Sequence, residues 1–210
     1  MPKLLWIVVA VVIMTAGSLT AVRLSEPKAL QLQTSFVLPQ ARPVAPFKMQ
    51  DQYGNAFTEH QLLGKWSLVF IGYTSCPDVC PTTMGKLSAV YPKLKQQMDI
   101  QVIFLSADPE RDTQARLLDY MNFFNPEFIA ITGEHKQLHP LSRDLGFVYA
   151  MVGDGEDYQV DHSASMTLIS PQGLKVATIK PKSLKLGQIP QIANAALVSD
   201  VVAIVDNQRG

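Results

Sequence analysis

Two uninterrupted apolar runs, "WSLVFIGY" at residues 66–73 and "IQVIFLSA" at residues 100–107, constrain this chain more than any other feature. Each is rich in β-branched and aromatic residues and lacks polar alternation, so each reads as a strand covered on both faces. Between them Met84, Leu87, Val90, Tyr91 and Leu94 fall on one stripe at helical spacing. Strand, helix, strand at this length makes a right-handed βαβ unit.

The flanking segments extend the same pattern. A second helix is predicted over residues 113–124, a third strand over 128–132 and a further helix over 134–145. "GFVYAMV" reads as a strand, and "SMTLISPQGLKVATI" as a hairpin turning at Pro171, Gln172 and Gly173. Residues 188–205 close the pattern as an amphipathic helix. Ahead of the βαβ unit, "FKMQDQYGNAFT" predicts an N-terminal hairpin turning at Gly54 and Asn55. Residues 23–46, punctuated by Pro27, Pro39, Pro43 and Pro46, read as a linker. The expectation is one α/β domain over residues 47–210, a mixed sheet flanked by helices with an antiparallel hairpin at its edge. With 47% apolar and 17% charged residues it buries a core without staples. Zero formal net charge and the lack of a basic run argue against a nucleic-acid partner.

Residues 4–22, "LLWIVVAVVIMTAGSLTAV", carry no charge and stand between Lys3 and Arg23. As a helix the run spans roughly 28 Å, close to the hydrocarbon thickness of a bilayer. It reads as a single transmembrane anchor, residues 1–22 forming that segment, although the small residues at 16–21 also suit a cleavage site. The positive charges on its two sides oppose each other and leave the orientation open.

The two cysteines stand together in "FIGYTSCPDVCPTT", just past the first buried strand and at the entry to its helix. Partial positive charge at a helix N-terminus favours thiolates there. Three residues separate Cys76 from Cys80, one more than in a thioredoxin-type redox pair. On a near-helical turn, positions i and i+4 share a face with Cα atoms roughly 6.2 Å apart. That suits a metal pair that also oxidises to a disulfide. Of the histidines, His162 in "YQVDHSASMTLIS" precedes an apolar run and, by itself, reads as a hydrogen-bonded structural residue. His135 and His139 stand at i and i+4 on a predicted helix, a possible chelating pair. With no carboxylate or third ligand at matching spacing, they read as a solvated helix face. Asp108, Pro109 and Glu110 look like a helix start with Asp108 as N-cap.

"YTSCPDVCPTT", "LSADPERDT" and "VDHSAS", in that order, resemble the Sco/SenC family of copper-binding thioredoxin-fold proteins, over about residues 47–192. The resemblance implies a thioredoxin-like fold behind one N-terminal membrane helix in the inner membrane, with the globular domain in the periplasm. It implies Cys76 and Cys80 as thiolate ligands and His162 as the imidazole ligand of one copper ion, Cu(I) or Cu(II). Asp108 would lie near that ion and affect its uptake or partner docking, and Asp78, between the cysteines, would orient the loop. The implied partner is the copper-receiving subunit of cytochrome c oxidase, whose dinuclear copper site such proteins help assemble as copper chaperones, as reductases of the target cysteines, or as both. In the second role Cys76 and Cys80 form a redox disulfide. The donor set agrees, since soft thiolates select Cu(I) and imidazole accommodates Cu(II), whereas a structural zinc site normally takes a fourth protein ligand. Asp161 adjoins His162 but should point to the opposite face of its strand. The separated aromatics of "FVYAMV" and the short "GDGEDYQ" loop depart from the family pattern and bear on partner choice. The eight methionines are scattered and form no copper-relay tract.

Overall fold

The computed structural model describes Trp6, Met14, residues 30–182 and residues 191–209. The rest of the 4–22 apolar stretch, and residues 188–190 of the expected last helix, lie outside the described residues. Among the described residues no helix is long and apolar enough to cross a membrane.

The βαβ expectation is met by β4 (Trp66–Gly72), α1 (Val79–Gln97) and β5 (Ile100–Ser106). β4 and β5 pair in parallel without a register break, Trp66 opposite Ile100 through Gly72 opposite Ser106. Every residue of both strands is buried, which requires cover on both faces of the sheet. Alternation along the strands supplies it. Phe104 meets Tyr120 of α2 (Gln114–Phe124) on one face. Val69, Ile103 and the neighbouring strands' Ile131 and Ile169 pack toward Leu141 of α3 (His135–Asp144) on the other.

β6 (Ile129–Thr132) joins β5 in parallel, and β2 (Met49–Asp51) with β3 (Ala56–Phe57) forms the expected hairpin, antiparallel to β6 at one edge. On the other side β9 (Met166–Ile169) runs antiparallel to β4 and turns into β10 (Leu174–Ile179). With β1 (Ser35–Pro43) beyond β10, the described residues form a mixed eight-stranded, thioredoxin-like sheet in the order β1-β10-β9-β4-β5-β6-β2-β3. β7 (Tyr149–Val152) and β8 (Gln159–His162) form a separate antiparallel hairpin.

Two expectations need correction. β1 (Ser35–Pro43) occupies much of the stretch read as linker, so the C-terminal hairpin is not the sheet edge. Pro39 and Pro43 suggested a linker, but an edge strand tolerates residues without an N–H, and the pairing is irregular between Val37 and Arg42. Asp108 is not a helix N-cap. α2 begins six residues later, capped by Thr113, whose hydroxyl accepts from the Arg116 N–H.

The start of β1 is tied to α4 (Asn194–Arg209), which also packs on α1. Asp200 of α4 is 1% exposed. One of its carboxylate oxygens accepts from the N–H groups of Thr34 (2.8 Å) and Ser35 (2.9 Å), the other from Gln33 N–H (3.0 Å). Burial raises the Asp200 pKa, but the Gln33 and Thr34 N–H donors outweigh it and hold the group below the usual carboxylate range. A depressed folded pKa adds stability above the unfolded carboxylate range and forfeits it as pH falls through the folded value. D200N should therefore cost about 1–3 kcal/mol in urea unfolding at pH 7. The gap from wild type should shrink below about pH 4, near the unfolded value. An equal gap at both pH values would contradict this role.

Candidate metal centre

The carboxyl ends of β4 and β5 lie side by side, and the chain leaving each builds the site. After Gly72 the backbone turns, with Cys76 N–H donating to Tyr73 O at 3.2 Å, and α1 begins at Val79. Pro81 therefore sits in the first helical turn, where backbone N–H groups have no intrahelical acceptor. The three-residue spacing is explained by this geometry: Cys76 is in the loop, half-buried, while Cys80 is inside the helix and fully buried. Gly72 makes room for it. A Cβ there would stand 2.6 Å from Cys80 Sγ and 2.9 Å from Phe104 Cε2.

β8 brings the third group. His162, its last residue, places Nε2 3.2 Å from Cys80 Sγ. Its Nδ1 lies 3.1 Å from Ser163 O, and a carbonyl only accepts, so Nδ1–H donates there and Nε2 is turned toward the sulfurs. Phe70 and Tyr73 meet the imidazole edge-on at 5.9 and 6.0 Å and fix its plane. Cys76 Sγ, Cys80 Sγ and a His162 ring nitrogen all lie within 4.8 Å of one another, and among the described residues only this group of three or more His, Cys, Asp or Glu side chains converges so closely.

The electrostatics separate the two sulfurs. The Cys80 side chain, the His162 ring and the N–H groups of Asp78 and Cys80 stabilise the Cys76 thiolate against the cost of burial and pull its pKa down to about 3. Burial, then the Cys76 charge beside it, pushes the Cys80 thiol far up. The site thus sets a thiolate at Cys76 beside a Cys80 that keeps its proton, with the His162 ring against them. A soft cation is suited to replace that proton.

Neighbouring side chains hold this arrangement. Asp112, 1% exposed, accepts from Thr74 N–H (3.1 Å), Thr74 Oγ1 (2.6 Å) and Ser106 Oγ (2.7 Å), tying the cysteine loop to the end of β5. Its pKa is raised, first by burial. Asp108 is fully buried and pairs with Arg111 Nε, and Tyr158 Oη donates to its other oxygen. The Arg111 guanidinium lies 3.7 Å over the Tyr158 ring and donates to Tyr158 O at 2.9 Å. Tyr73 Oη donates to Gln159 at 2.9 Å. Together these contacts pin the start of β8, and so His162, to the sheet end. Asp108 acts here as an anchor for the hairpin. Asp78 is exposed, precedes α1 without a side-chain capping bond, and contributes its backbone N–H to Cys76. Asp161 is exposed, while His162 is half-buried. Gly72 had a sequence signal, since a glycine ending an apolar strand marks a close backbone approach. Arg111 and Tyr158, 47 residues apart, had none.

G72A forces Cys80 Sγ or the Phe104 ring to move. Overpacking of this kind costs about 1–3 kcal/mol, and Cu(I) affinity in a chelator competition should drop with it. Unchanged affinity at reduced stability would show that the position of Cys80 Sγ is not fixed by the strand beneath it.

Comparison with known proteins agrees with this geometry. The SCO1/SenC family model matches residues 38–196. The SCO2-like protein of Rickettsia typhi is 35% identical over 172 residues, covering 80% of this chain and 85% of that one. The copper-bound crystal structure of Arabidopsis thaliana ScoI superposes with a TM-score of 0.69 at 31% identity, covering 79% of this chain and 99% of that one. Copper-bound yeast Sco1 gives 0.67 at 30% identity, covering 78% and 88%. With three-quarters of its length matched and its cysteine pair and histidine brought together at one sheet end, the chain belongs to the SCO1/SenC family.

Proposed function

We propose that this protein is a membrane-anchored copper chaperone. It binds one copper ion through Cys76, Cys80 and His162 and delivers it to the dinuclear copper site of cytochrome c oxidase. The observation that carries the reading is the approach of two sulfurs and one imidazole nitrogen to within 4.8 Å of one another. Two sulfurs and one nitrogen suit Cu(I), and the imidazole keeps Cu(II) accessible. The copper-bound relatives of the same fold support the choice of ion. Cys76, half-buried in a loop, is the ligand an incoming donor reaches first, while Cys80 and His162 retain the cargo from below. Transfer then proceeds by ligand exchange into the receiving subunit. The uncharged stretch at residues 4–22 supports a single helix holding the domain at the periplasmic face of the inner membrane.

A second reading has its own observation. A half-exposed thiolate with a pKa of about 3, next to a buried thiol, is arranged as a nucleophile with a resolving partner. In that role Cys76 attacks a disulfide of the oxidase subunit and releases one of its thiolates. Cys80 then displaces the second, leaving Cys76 and Cys80 joined and the target reduced by two electrons.

His162 separates the two. Cu(I) titration of the reduced full chain should give one ion per chain, with C76A and C80A abolishing retention and H162A weakening it at least about tenfold. H162A should leave disulfide exchange nearly unaltered. Full copper affinity in H162A, with both cysteines still required, would favour the reductase.

A further inference from the structure

We propose that His135, His139 and Glu110 form a second cation site, for a borderline divalent ion such as Zn(II) or Cu(II). In sequence the histidine pair lacked a carboxylate, and the fold supplies one. Glu110 lies in the loop after β5, and its Oε2 is 3.1 Å from His135 Nε2. His135 and His139 lie one turn apart on α3 with ring centroids 5.8 Å apart.

One donor pair is already spaced for a shared ion, and the third donor has to move toward it. Donors about 2.0–2.1 Å from zinc stand roughly 2.9 Å apart at a right angle and roughly 3.3 Å apart at the tetrahedral angle. The 3.1 Å between His135 Nε2 and Glu110 Oε2 falls between these values. Two imidazoles on one tetrahedral ion place their centroids about 5.2 Å apart, so the exposed His139 ring must close by well under an ångström plus a ring rotation.

Tyr149 organises the pair. Its ring stacks on His139 at 4.6 Å and on His135 at 5.8 Å, and its hydroxyl lies 2.9 Å from His135 Nδ1. In the ion-free state Nε2–H donates to Glu110 and the hydroxyl donates to Nδ1. With the ion bound, Nδ1–H donates to the hydroxyl and Nε2 is the ligand. A hydrogen bond of this kind to the second ring nitrogen sets the tautomer of a metal-binding histidine. The ring proton moves from Nε2 to Nδ1 and none is released, and the Glu110 carboxylate offsets part of the cation's charge.

Ligand chemistry keeps the two centres apart: nitrogen and oxygen donors suit a borderline divalent ion, while the sulfur pair selects Cu(I). They are nonetheless neighbours, since Tyr149 is the direct β7–β8 partner of His162.

The test is a Zn(II) titration of the full chain with Cu(I) already in the cysteine site. One further equivalent should bind and shift the imidazole proton resonances of His135 and His139. H139A and E110Q should each weaken that binding about tenfold or more, without changing Cu(I) content, while H60A has no effect. A C76S/C80S variant should take up one Cu(II) with nitrogen hyperfine structure and no thiolate charge-transfer band. The proposal is overturned by absence of this equivalent, by a zinc isotherm indifferent to H139A and E110Q, or by zinc binding that follows His60.

Discussion

The parallel pairing of β4 with β5 sets the site. Because the two strands run in register and end together at Gly72 and Ser106, the loops that follow them emerge at one end of the sheet. One loop carries Cys76 and leads into the helix that carries Cys80. The other carries Asp108, Glu110, Arg111 and Asp112. Asp112 of the second loop joins the two directly, by accepting from Thr74 of the first and from Ser106 at the end of β5. Burial of both strands on both faces makes a one-residue slip costly, since it would turn each packed side chain to the wrong layer.

On this base the donors differ in how firmly they are held. Cys80 is fixed by close packing beneath Gly72 and beside Phe104. His162 belongs to a hairpin outside the main sheet, held by hydrogen bonds from Tyr73, Tyr158 and Arg111 and by the edges of two aromatic rings. Cys76 sits in a loop, half-exposed, with its charge stabilised by its neighbours. Firm, intermediate and accessible donors in one cluster suit reversible binding of one soft ion.

Much of the fold was legible because its signals are local. Buried runs bounded by turn residues identified β4, β5, β9 and β10, and the spacing of Met84, Leu87, Tyr91 and Leu94 identified α1. What failed depended on context. The prolines of β1 mean a linker in isolation and an edge strand once β10 lies beside them. Asp108 and Pro109 form a good helix start by composition, yet Arg111 and Tyr158 claim the buried carboxylate and the helix waits for Thr113. The cysteine pair announced itself by its spacing and its place before a helix. His162 did not, because nothing local shows that a hairpin 82 residues on folds back over Cys80. Only the motif resemblance singled it out. Glu110 beside His135 is the same kind of fact, a contact between loop and helix that no spacing encodes.

The proposed chemistry requires an imidazole to complete a two-sulfur site. X-ray absorption of the Cu(I)-loaded full chain measures this directly. It should resolve two sulfur neighbours and one nitrogen neighbour, the nitrogen disappearing in H162A. A copper environment of two sulfurs alone, the same with and without His162, would contradict it.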